Sequence, residues 1–285
     1  MPEALAPAKI NLFLHAGPVR PDGFHPVCSL MEKVSLYDRL SVESSTRPGV
    51  RLSGSMLAGE NTVEKAARLL GEAMSMKIGA DITLEKQIPV AAGLAGGSSD
   101  AAAALKLFIS TFGLEVSDAR LMEVALAVGA DVPFFLKIGA QLAEGAGEFL
   151  SPAPGIDYAA VIVSPAMEIS TARIYHLYDE MFQPQSGPFQ ARCRRAKSAL
   201  PLVGDLDSLA GLLHNDLEPA AVSLCPQISG LKEDLLALGA AGALMSGSGP
   251  SVFGLFAGKT EAENAALELA KNHSRVWAVT PVRSS

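Results

Sequence analysis

The chain has 285 residues, of which 49% are hydrophobic and 19% are charged, a composition typical of a globular protein with an ample core. The formal net charge of −7 argues against a broad nucleic-acid-binding surface, so an anionic substrate would need locally placed cations and helix ends. The three cysteines are odd in number and widely spaced, which fits neither a disulfide framework nor a zinc site and predicts a reducing, cytoplasmic setting.

The first residues lack the basic region of a signal peptide. One uncharged run, residues 235–258, is long enough to cross a membrane, but it contains six glycines, a proline and three serines. These residues favour a turn between two buried elements over a spanning helix. We therefore expect no membrane segment, and the length suits one large domain or two smaller ones.

Residues 8–15 alternate as in a β-strand and place Lys9 and Asn11 on the same face. A lysine at such a position is most often a solvated edge residue. The asparagine on the same face makes one wall of a polar pocket the alternative interpretation.

Residues 20–26 predict a turn, since proline fixes φ and Asp22-Gly23 supplies the reversal. Phe24 and His25 follow it. They are explained either by a tight hairpin with an incidental aromatic residue or by a loop that offers a flat ring and an imidazole to a heteroaromatic ligand. The pattern alone leaves both interpretations open.

Strand, helix and strand are predicted next, at residues 35–42, 61–70 and 82–86. The helix has Asn61 or Thr62 as its N-cap. The last strand leads into residues 89–104, PVAAGLAGGSSDAAAA, around which the rest of the chain is organised.

This segment predicts a glycine-rich loop followed by a helix. Gly93, Gly96 and Gly97 lack Cβ, so the backbone can adopt positive φ and present its N–H groups at close range. A serine of the pair that precedes Asp100 is expected to cap the helix, with the acid in its first turn. A helix start of this kind binds phosphate, because its N–H groups are unpaired and its dipole end is positive.

Two familiar phosphate-binding motifs do not fit this loop. A P-loop would end in Gly-Lys-Ser/Thr, and no lysine follows Gly97 before the helix. Ala95 breaks the spacing of the G-x-G-x-x-G fingerprint. A plain loop before an alanine-rich packing helix is the alternative, and the clustered glycines and serines favour phosphate binding.

A helix capped by Ser117 is predicted over residues 117–128, ending at Gly129 with Pro133 preventing its continuation. Asp131 is then a lone carboxylate in an apolar stretch, where acids are seldom buried without a partner. It either caps the next turn or faces a polar cleft as a base. A lysine such as Lys9 beside it would keep it ionised.

The second half of the chain begins with a predicted strand and turn at 141–148 and a linker at 151–155. A strand at 160–163 and a helix from Ser170 or Thr171 follow. Residues 183–202 are predicted to be a mobile insertion, with the basic run 192–195 on a solvated face. A helical stretch opens at 215–219, and residues 242–256 form two strands around a Gly-Ser turn, either a hairpin or a second wall of the ligand cleft. A helix at 261–272 and a strand at 276–282 close the chain.

Five segments together carry a resemblance to a known family. They are PAKINL at 7–12, DGFH at 22–25, GLAGGSSDAA at 93–102, GADVPFF at 129–135 and SGSGPS at 246–251. In this order they resemble the GHMP kinases, the family of galactokinase and of the homoserine, mevalonate and phosphomevalonate kinases. The pattern is most similar to members that phosphorylate a hydroxyl group of a cytidyl-bearing polyol.

The resemblance implies an α+β kinase of two domains. A ribosomal S5 domain 2-like N-terminal domain, residues 1–153, would bind ATP, and a ferredoxin-like C-terminal domain would span residues 154–285. The implied cofactors are ATP and Mg²⁺, with the metal ligands left open. The implied partner is a small-molecule cytidyl substrate, with no nucleic acid and no membrane, and a monomer or a homodimer are both left open.

The resemblance also assigns roles to individual residues. Asp131 would take the proton of the substrate hydroxyl, while Lys9 would hold Asp131 ionised and offset charge on the reacting groups. Nucleotide-binding residues would be Asn61, Lys86, Pro89, Val90, Ala91, Ala92, Gly93, Leu94, Ala95, Gly96, Gly97, Ser98 and Ser99.

The implied substrate-binding residues are Asn11, Phe24, His25, Thr171 and Tyr175. Asn11 would place the hydroxyl, Phe24 and Tyr175 would stack on the two faces of cytosine, His25 would read its edge, and Thr171 would lie close by.

Two positions depart from the family pattern. Ala95 stands where these kinases usually carry glycine, and Phe24 replaces a more usual tyrosine, which keeps the ring but loses a hydroxyl. Two other functions are weighed: a GHMP kinase acting on homoserine or mevalonate, and a GHMP-like ligand-binding protein without turnover. The presence of both Lys9 and Asp131 argues against the latter.

Overall fold

Two long strands, β1 (Glu3–Ala16) and β2 (Val27–Ser44), each contribute residues to both of the units into which the chain divides. Unit 1 consists of Met1–Ala8, Leu36–Val90 and Ala95–Ile138, and unit 2 of Lys9–Ser35, Ala91–Leu94 and Gly139–Ser285. The coordinates are a computed structural model that describes residues 2–47, 49–54 and 61–283.

Unit 1 combines part of the strand system with four helices among its described residues. Its elements are β3 (Gly49–Ser53), α1 (Thr62–Ala73), β4 (Gly79–Glu85), α2 (Gly96–Phe112), α3 (Asp118–Val128) and α4 (Val132–Leu136). Strand β4 pairs in parallel with β3 and antiparallel with residues 39–44 of β2. Helix α2 packs against α1, α3 and α4. The predicted strands at 35–42 and 82–86 are confirmed.

The predicted start of α1 is confirmed, whereas the predicted start of α2 is wrong in its capping residue and its first residue. Asn61 caps α1, and Ser117 caps α3, as their sequences indicate. Helix α2 begins two residues before Ser98, because Ala95, at φ 54° and ψ 33°, turns the chain directly into the helix. Gly96 and Gly97 are therefore helical rather than at positive φ, and the first turn contains no acid.

Unit 2 contains β5 (Gln141–Gly145), β6 (Phe149–Pro152) and β8 (His214–Asn215), which belong to the same sheet as the two long strands. Strand β8 pairs in parallel with β1, and β5 pairs antiparallel with both β2 and β6.

A second sheet in unit 2 contains β7 (Ala159–Val163), β9 (Gly242–Met245), β10 (Val252–Phe256) and β11 (Val276–Val279). The helices of this unit are α5 (Thr171–Phe182), α6 (Ser186–Ala199), α7 (Leu206–Ala210), α8 (Glu218–Leu224), α9 (Gln227–Ala237) and α10 (Lys259–Leu269).

The second sheet has the order β11-β7-β10-β9 with antiparallel neighbours. Helices α9 and α10 pack on it and bury an apolar core that includes Val161, Leu235 and Phe256. This order, with helices between β7 and β9 and between β10 and β11, is the ferredoxin-like arrangement that the resemblance implies. The predicted hairpin at 242–256 is confirmed as β9 and β10.

Two predictions for the second half are wrong. The first two of the five residues of the predicted linker at 151–155 belong to β6, which is held by its pairing with β5. The predicted insertion at 183–202 forms α6 and a short 3-10 turn, Leu200–Leu202. Its polar composition hides the periodicity, because within α6 only Cys193 and Ala196 are buried. The guanidinium of Arg192 donates to Ala16 O and Asp216 Oδ2, so the basic run is not wholly solvated.

Cys28, Cys193 and Cys225 are free thiols, and all are buried. Among the described residues, no helix has both the length and the apolar character needed to span a bilayer.

Candidate active site

The glycine-rich loop contains a tight turn at Gly93, where φ is +77°. A Cβ at this position would lie 2.1 Å from Ser246 O and 2.9 Å from Gly249 N, both backbone atoms of the β9–β10 turn. Glycine is therefore required here on two grounds, its backbone conformation and the close approach of the backbone of the β9–β10 turn. Ser251 N also donates to Ala92 O at 3.2 Å, so the β9–β10 turn lines this part of the loop.

Lys9 is buried beside this turn, with 4% of its surface exposed. Its Nζ donates to Asn11 Oδ1 and, at 2.9 Å, to Gly93 O. Asn11 Nδ2 in turn donates to Ser29 Oγ at 2.7 Å, and Ser29 Oγ donates to Phe13 O at 2.7 Å. These bonds orient the Lys9 ammonium, and they support a pocket wall rather than a solvated strand edge.

The β9–β10 turn, which contains the SGSGPS segment at 246–251, completes this cluster. Ser246 Oγ accepts from Asn11 N at 3.3 Å and donates to Gly93 O at 3.0 Å. A Cβ on Gly247 would lie 2.9 Å from Lys9 Nζ. The Asn215 amide donates to the carbonyls of Met245 and Gly247 at 2.9 and 2.8 Å, which fixes the turn. The roles of Ser29 and Asn215 depend on partners distant in the chain, so no local pattern reveals them.

In unit 1, the start of α2 has the uncapped backbone N–H groups that favour an anion. No side chain caps the helix, so its first N–H groups are left for another acceptor. Gly97 is exposed, its carbonyl accepts from Thr62 Oγ1 at 2.7 Å, and a Cβ on it would meet nothing closer than that hydroxyl, at 3.4 Å. Ser99 Oγ is buried without a hydrogen-bond partner. The residues present therefore fit a nucleotide phosphate.

Behind this helix start, Lys86 forms ion pairs with two buried carboxylates. Its Nζ donates to Asp38 Oδ2 and, at 2.8 Å, to Asp100 Oδ2. Asp38 Oδ1 also accepts from the backbone N–H groups of Gln87 and Ile88. Burial raises the pKa of Asp100 to about 7, which the nearby Lys86 ammonium opposes and the Asp38 carboxylate reinforces. The ion pairs join α2 to β2 and to the residue that follows β4.

Asn61 and Asp131, two further predicted site residues of unit 1, lie at helix N-caps. Asn61 Oδ1 accepts from Val63 N at 2.8 Å and Glu64 accepts from Asn61 N, a capping box at the start of α1. Asp131 occupies the N-cap position of α4, but its side chain makes no capping bond. A Cβ on the nearby Gly129 would lie 4.0 Å from Ser98 Oγ, so the loop before Asp131 lies beside the first turn of α2.

An aromatic cluster in unit 2 contains the residues predicted to read a heteroaromatic ring. The rings of His25 and Tyr175 lie 4.7 Å apart between centroids, at an interplanar angle of 31°. His25 Nδ1 is 2.8 Å from Gly17 O, and Nε2 is 3.3 Å from Asp179 Oδ2, so this ring is fixed from both sides. Phe24, in contrast, is 58% exposed.

Thr171, the last predicted substrate-binding residue, lies at the first position of α5. Its Oγ1 is 2.8 Å from Ser248 Oγ of the β9–β10 turn. Unit 2 thus contains the predicted residues Lys9, Asn11, His25, Thr171 and Tyr175, whereas Asn61, Lys86 and Asp131 belong to unit 1.

Family models and individual relatives both match this chain to one family. The sequence model of the GHMP kinases N terminal domain matches residues 61–139, and that of the GHMP kinases C terminal matches residues 196–275. A protein of Pelotomaculum thermopropionicum named 4-diphosphocytidyl-2-C-methyl-D-erythritol kinase is 41% identical over 280 residues, covering 96% of this chain and 95% of that protein. A protein of the same name from Syntrophotalea carbinolica is 40% identical, and the match covers 99% of each chain.

Solved structures of kinases also match the fold of this chain. A crystal structure of 4-(cytidine 5'-diphospho)-2C-methyl-D-erythritol kinase matches with a TM-score of 0.80 and 37% identity, over 99% of this chain and 100% of that one. A crystal structure of mevalonate kinase matches with a TM-score of 0.77 over the whole of both chains, at only 12% identity, which shows the shared fold alone. On the two domain models and the end-to-end relatives, the chain belongs to the GHMP kinase family.

Proposed function

We propose that this chain transfers the γ-phosphoryl group of ATP to the 2-hydroxyl of 4-diphosphocytidyl-2-C-methyl-D-erythritol, a step of the non-mevalonate route to isoprenoids. The observation that carries the proposal is the match to relatives of that name, 41% identical over 96% of the chain. Mevalonate and homoserine kinases share the fold at 12% and 22% identity, which does not extend to their substrates.

The nucleotide phosphates are assigned to the loop 89–99 and to the start of α2. The support is the absence of a side-chain cap on α2, together with the buried Ser99 hydroxyl that has no partner. Unpaired N–H groups at the positive end of a helix dipole favour anions. Mg²⁺ bound to the phosphate oxygens would neutralise part of the charge that develops during transfer.

The chemical step is assigned to Asp131. A tertiary alcohol is a poor nucleophile, so positioning and a nearby base matter most. In the proposed step the Asp131 carboxylate accepts the hydroxyl proton, the hydroxyl oxygen bonds to the γ-phosphorus, and the bond to the β-phosphate oxygen breaks to release ADP. Lys9 offsets the charge that develops on the reacting groups. The two hydrogen bonds that orient its ammonium support this role.

The cytidine is assigned to the aromatic cluster, with Phe24 and Tyr175 on the faces of the base and His25 at its edge. The exposed ring of Phe24 and the fixed ring of His25 support this assignment. Asn11 would place the hydroxyl, and Thr171 would lie near the base. We further propose an ATP-binding domain over residues 1–153, a second domain over 154–285, and a cytoplasmic enzyme.

The test is ADP release by the purified chain with ATP and Mg²⁺, offering the cytidyl substrate, homoserine and mevalonate separately. We expect turnover with the cytidyl substrate alone. Turnover with another alcohol would leave the kinase fold standing and contradict the substrate. No turnover with any of them, while ATP still binds, would favour a ligand-binding protein without catalysis.

Asp131→Asn tests the base. We expect kcat to fall about 10²- to 10⁴-fold while ATP affinity is retained, because the amide cannot accept the proton. Asp118→Asn is the matched control, since Asp118 is an acid in the first turn of α3 with no proposed role, and its kcat should be unchanged. Equal activity of the two variants would remove Asp131 as the base.

A further inference from the structure

Three side chains of unit 2 converge where β8 pairs with β1, and the proposed reaction uses none of them. They are His15 at the end of β1, His214 in β8, and Asp216 just after β8. One ligand atom from each of the three lies within 4.8 Å of the others. The parallel pairing of Phe13 with His214 brings the two histidines side by side, with ring centroids 4.7 Å apart.

His15 has a buried nitrogen that nothing in the cluster satisfies. The residue is 8% exposed, and its Nδ1 is buried without a hydrogen-bond partner. Its ion-pair partner, Asp216 Oδ2, is 3.8 Å away, which is beyond hydrogen-bond distance. A buried, unpaired imidazole nitrogen is costly unless a ligand uses it.

Asp216 is held as ligating carboxylates usually are. Its Oδ2 accepts from Ala16 N at 2.9 Å and from Arg192 at 3.0 Å. Its Oδ1 lies 2.6 Å from His214 Nε2, on the side of the imidazoles. Outer hydrogen bonds of this kind fix a carboxylate ligand in place, and here the second oxygen faces the imidazoles and is bonded to His214.

We propose that His15, His214 and Asp216 form a binding site for one divalent transition metal ion of the Zn²⁺ class. Two imidazoles and one carboxylate are the donor set that such ions prefer over Mg²⁺. Donor atoms around a tetrahedral zinc ion lie about 3.4 Å apart, so each donor would need to move by about 1 Å. On binding, His214 Nε2 gives up the proton that it donates to Asp216 Oδ1, and the neutral imidazole binds the metal through Nε2 with its remaining proton on Nδ1.

The exposure of His214 leaves a position for a fourth ligand, and the charge of Arg192 keeps the expected metal affinity moderate. The His214 side chain is 47% exposed, which leaves one side of the cluster accessible to a water ligand. The Arg192 guanidinium, 3.0 Å from Asp216, carries a positive charge that opposes the metal's charge. Metal binding would join β1 and β8 and raise the stability of the folded chain.

The test uses the untagged full-length chain, freed of metal with a chelator and titrated with Co²⁺ and with Zn²⁺ in excess Mg²⁺. We expect one equivalent of Co²⁺ to bind with the visible absorption of a low-symmetry site, and Zn²⁺ to displace it. His214→Ala, at a half-exposed position, should weaken the affinity by at least about tenfold. His273→Ala, a histidine outside the cluster, is the matched control and should bind as the unmodified chain does.

His15→Gln provides a second variant, since glutamine keeps a polar side chain without the imidazole, and it should lose the absorption band as well. Near-ultraviolet circular dichroism checks that each variant is folded. The proposal is overturned if the unmodified chain gives no band, or if His214→Ala or His15→Gln binds Co²⁺ as tightly as His273→Ala. Kinase activity does not enter either readout, so the outcome is independent of the proposed function.

Discussion

Helices α1 and α2 begin in opposite ways. The start of α1 is closed by its own side chains, since Asn61 accepts from Val63 N while Glu64 accepts from Asn61 N. The start of α2 follows Ala95 in the left-handed region and has no side-chain cap. A capped start stabilises a helix by itself, whereas an uncapped one leaves donors for a ligand.

What holds α2 in place is an interaction behind its first turn. Asp100 and Asp38 share the Lys86 ammonium, so α2 is held to β2 and to the residue after β4 without using its terminal N–H groups. In α2, therefore, the residues that stabilise the helix start differ from the N–H groups that can bind an anion. Substitutions that remove one of these contributions at a time test whether they are independent.

The largest expected effect follows from Lys86→Met. It leaves two buried carboxylates without their cation, which should lower the free energy of unfolding by about 3 to 5 kcal/mol at pH 8. Urea unfolding measures the loss. Lys106→Met, at an exposed position of helix α2, is the control and should change stability by less than about 0.5 kcal/mol. Equal losses in both variants would contradict a stabilising role for the ion pairs.

The loss of stability in Lys86→Met should depend on pH in a defined direction. Burial raises the pKa of Asp100 from 3.8 to about 7, so the folded chain holds a proton that the unfolded chain releases. The stability linked to that proton is complete below the unfolded value and is lost as the pH rises towards 7. Without Lys86 the pKa rises further, so Lys86→Met should be less destabilising at pH 6 than at pH 8.

A smaller effect is expected at Asn61. Asn61→Ala should cost about 1 kcal/mol, because it removes the cap of α1. Asn61→Asp keeps a capping oxygen and the stability but adds a negative charge, so it should weaken ATP binding if Asn61 also lines the nucleotide site. Calorimetry measures the affinity. Ser117→Ala, which removes the cap of α3, is the control for stability alone, and an unchanged affinity in Asn61→Asp would restrict Asn61 to capping.

These two helix starts also show what the sequence could predict. The Asn61 cap is readable because its partners lie two and three residues away in the chain. The start of α2 is not, since Ala95 is a poor cap on any propensity scale and Ser98 and Ser99 are better ones. Only the fold around the loop holds Ala95 at φ 54°.

Burial and long-range partners explain the other differences. Lys9 lies in a strand whose alternation is plain, but its burial depends on Gly93 and Gly247, which are distant in sequence. Asn215 fixes the β9–β10 turn through two carbonyls, although its own segment indicates only a helix start. Helix α6 was missed because its exposed polar face outweighs two buried residues. Local patterns predicted most elements, and tertiary contacts determined the site.

The most direct test is whether the first N–H groups of α2 bind nucleotide phosphate. In a chain labelled with ¹⁵N-glycine, the amide resonances of Gly96 and Gly97 are followed as a non-hydrolysable ATP analogue is added with Mg²⁺. We expect both to shift strongly on saturation, while Gly71, within α1, shifts little. Unchanged Gly96 and Gly97 resonances at saturating nucleotide would contradict the assignment of this helix start to the ATP phosphates.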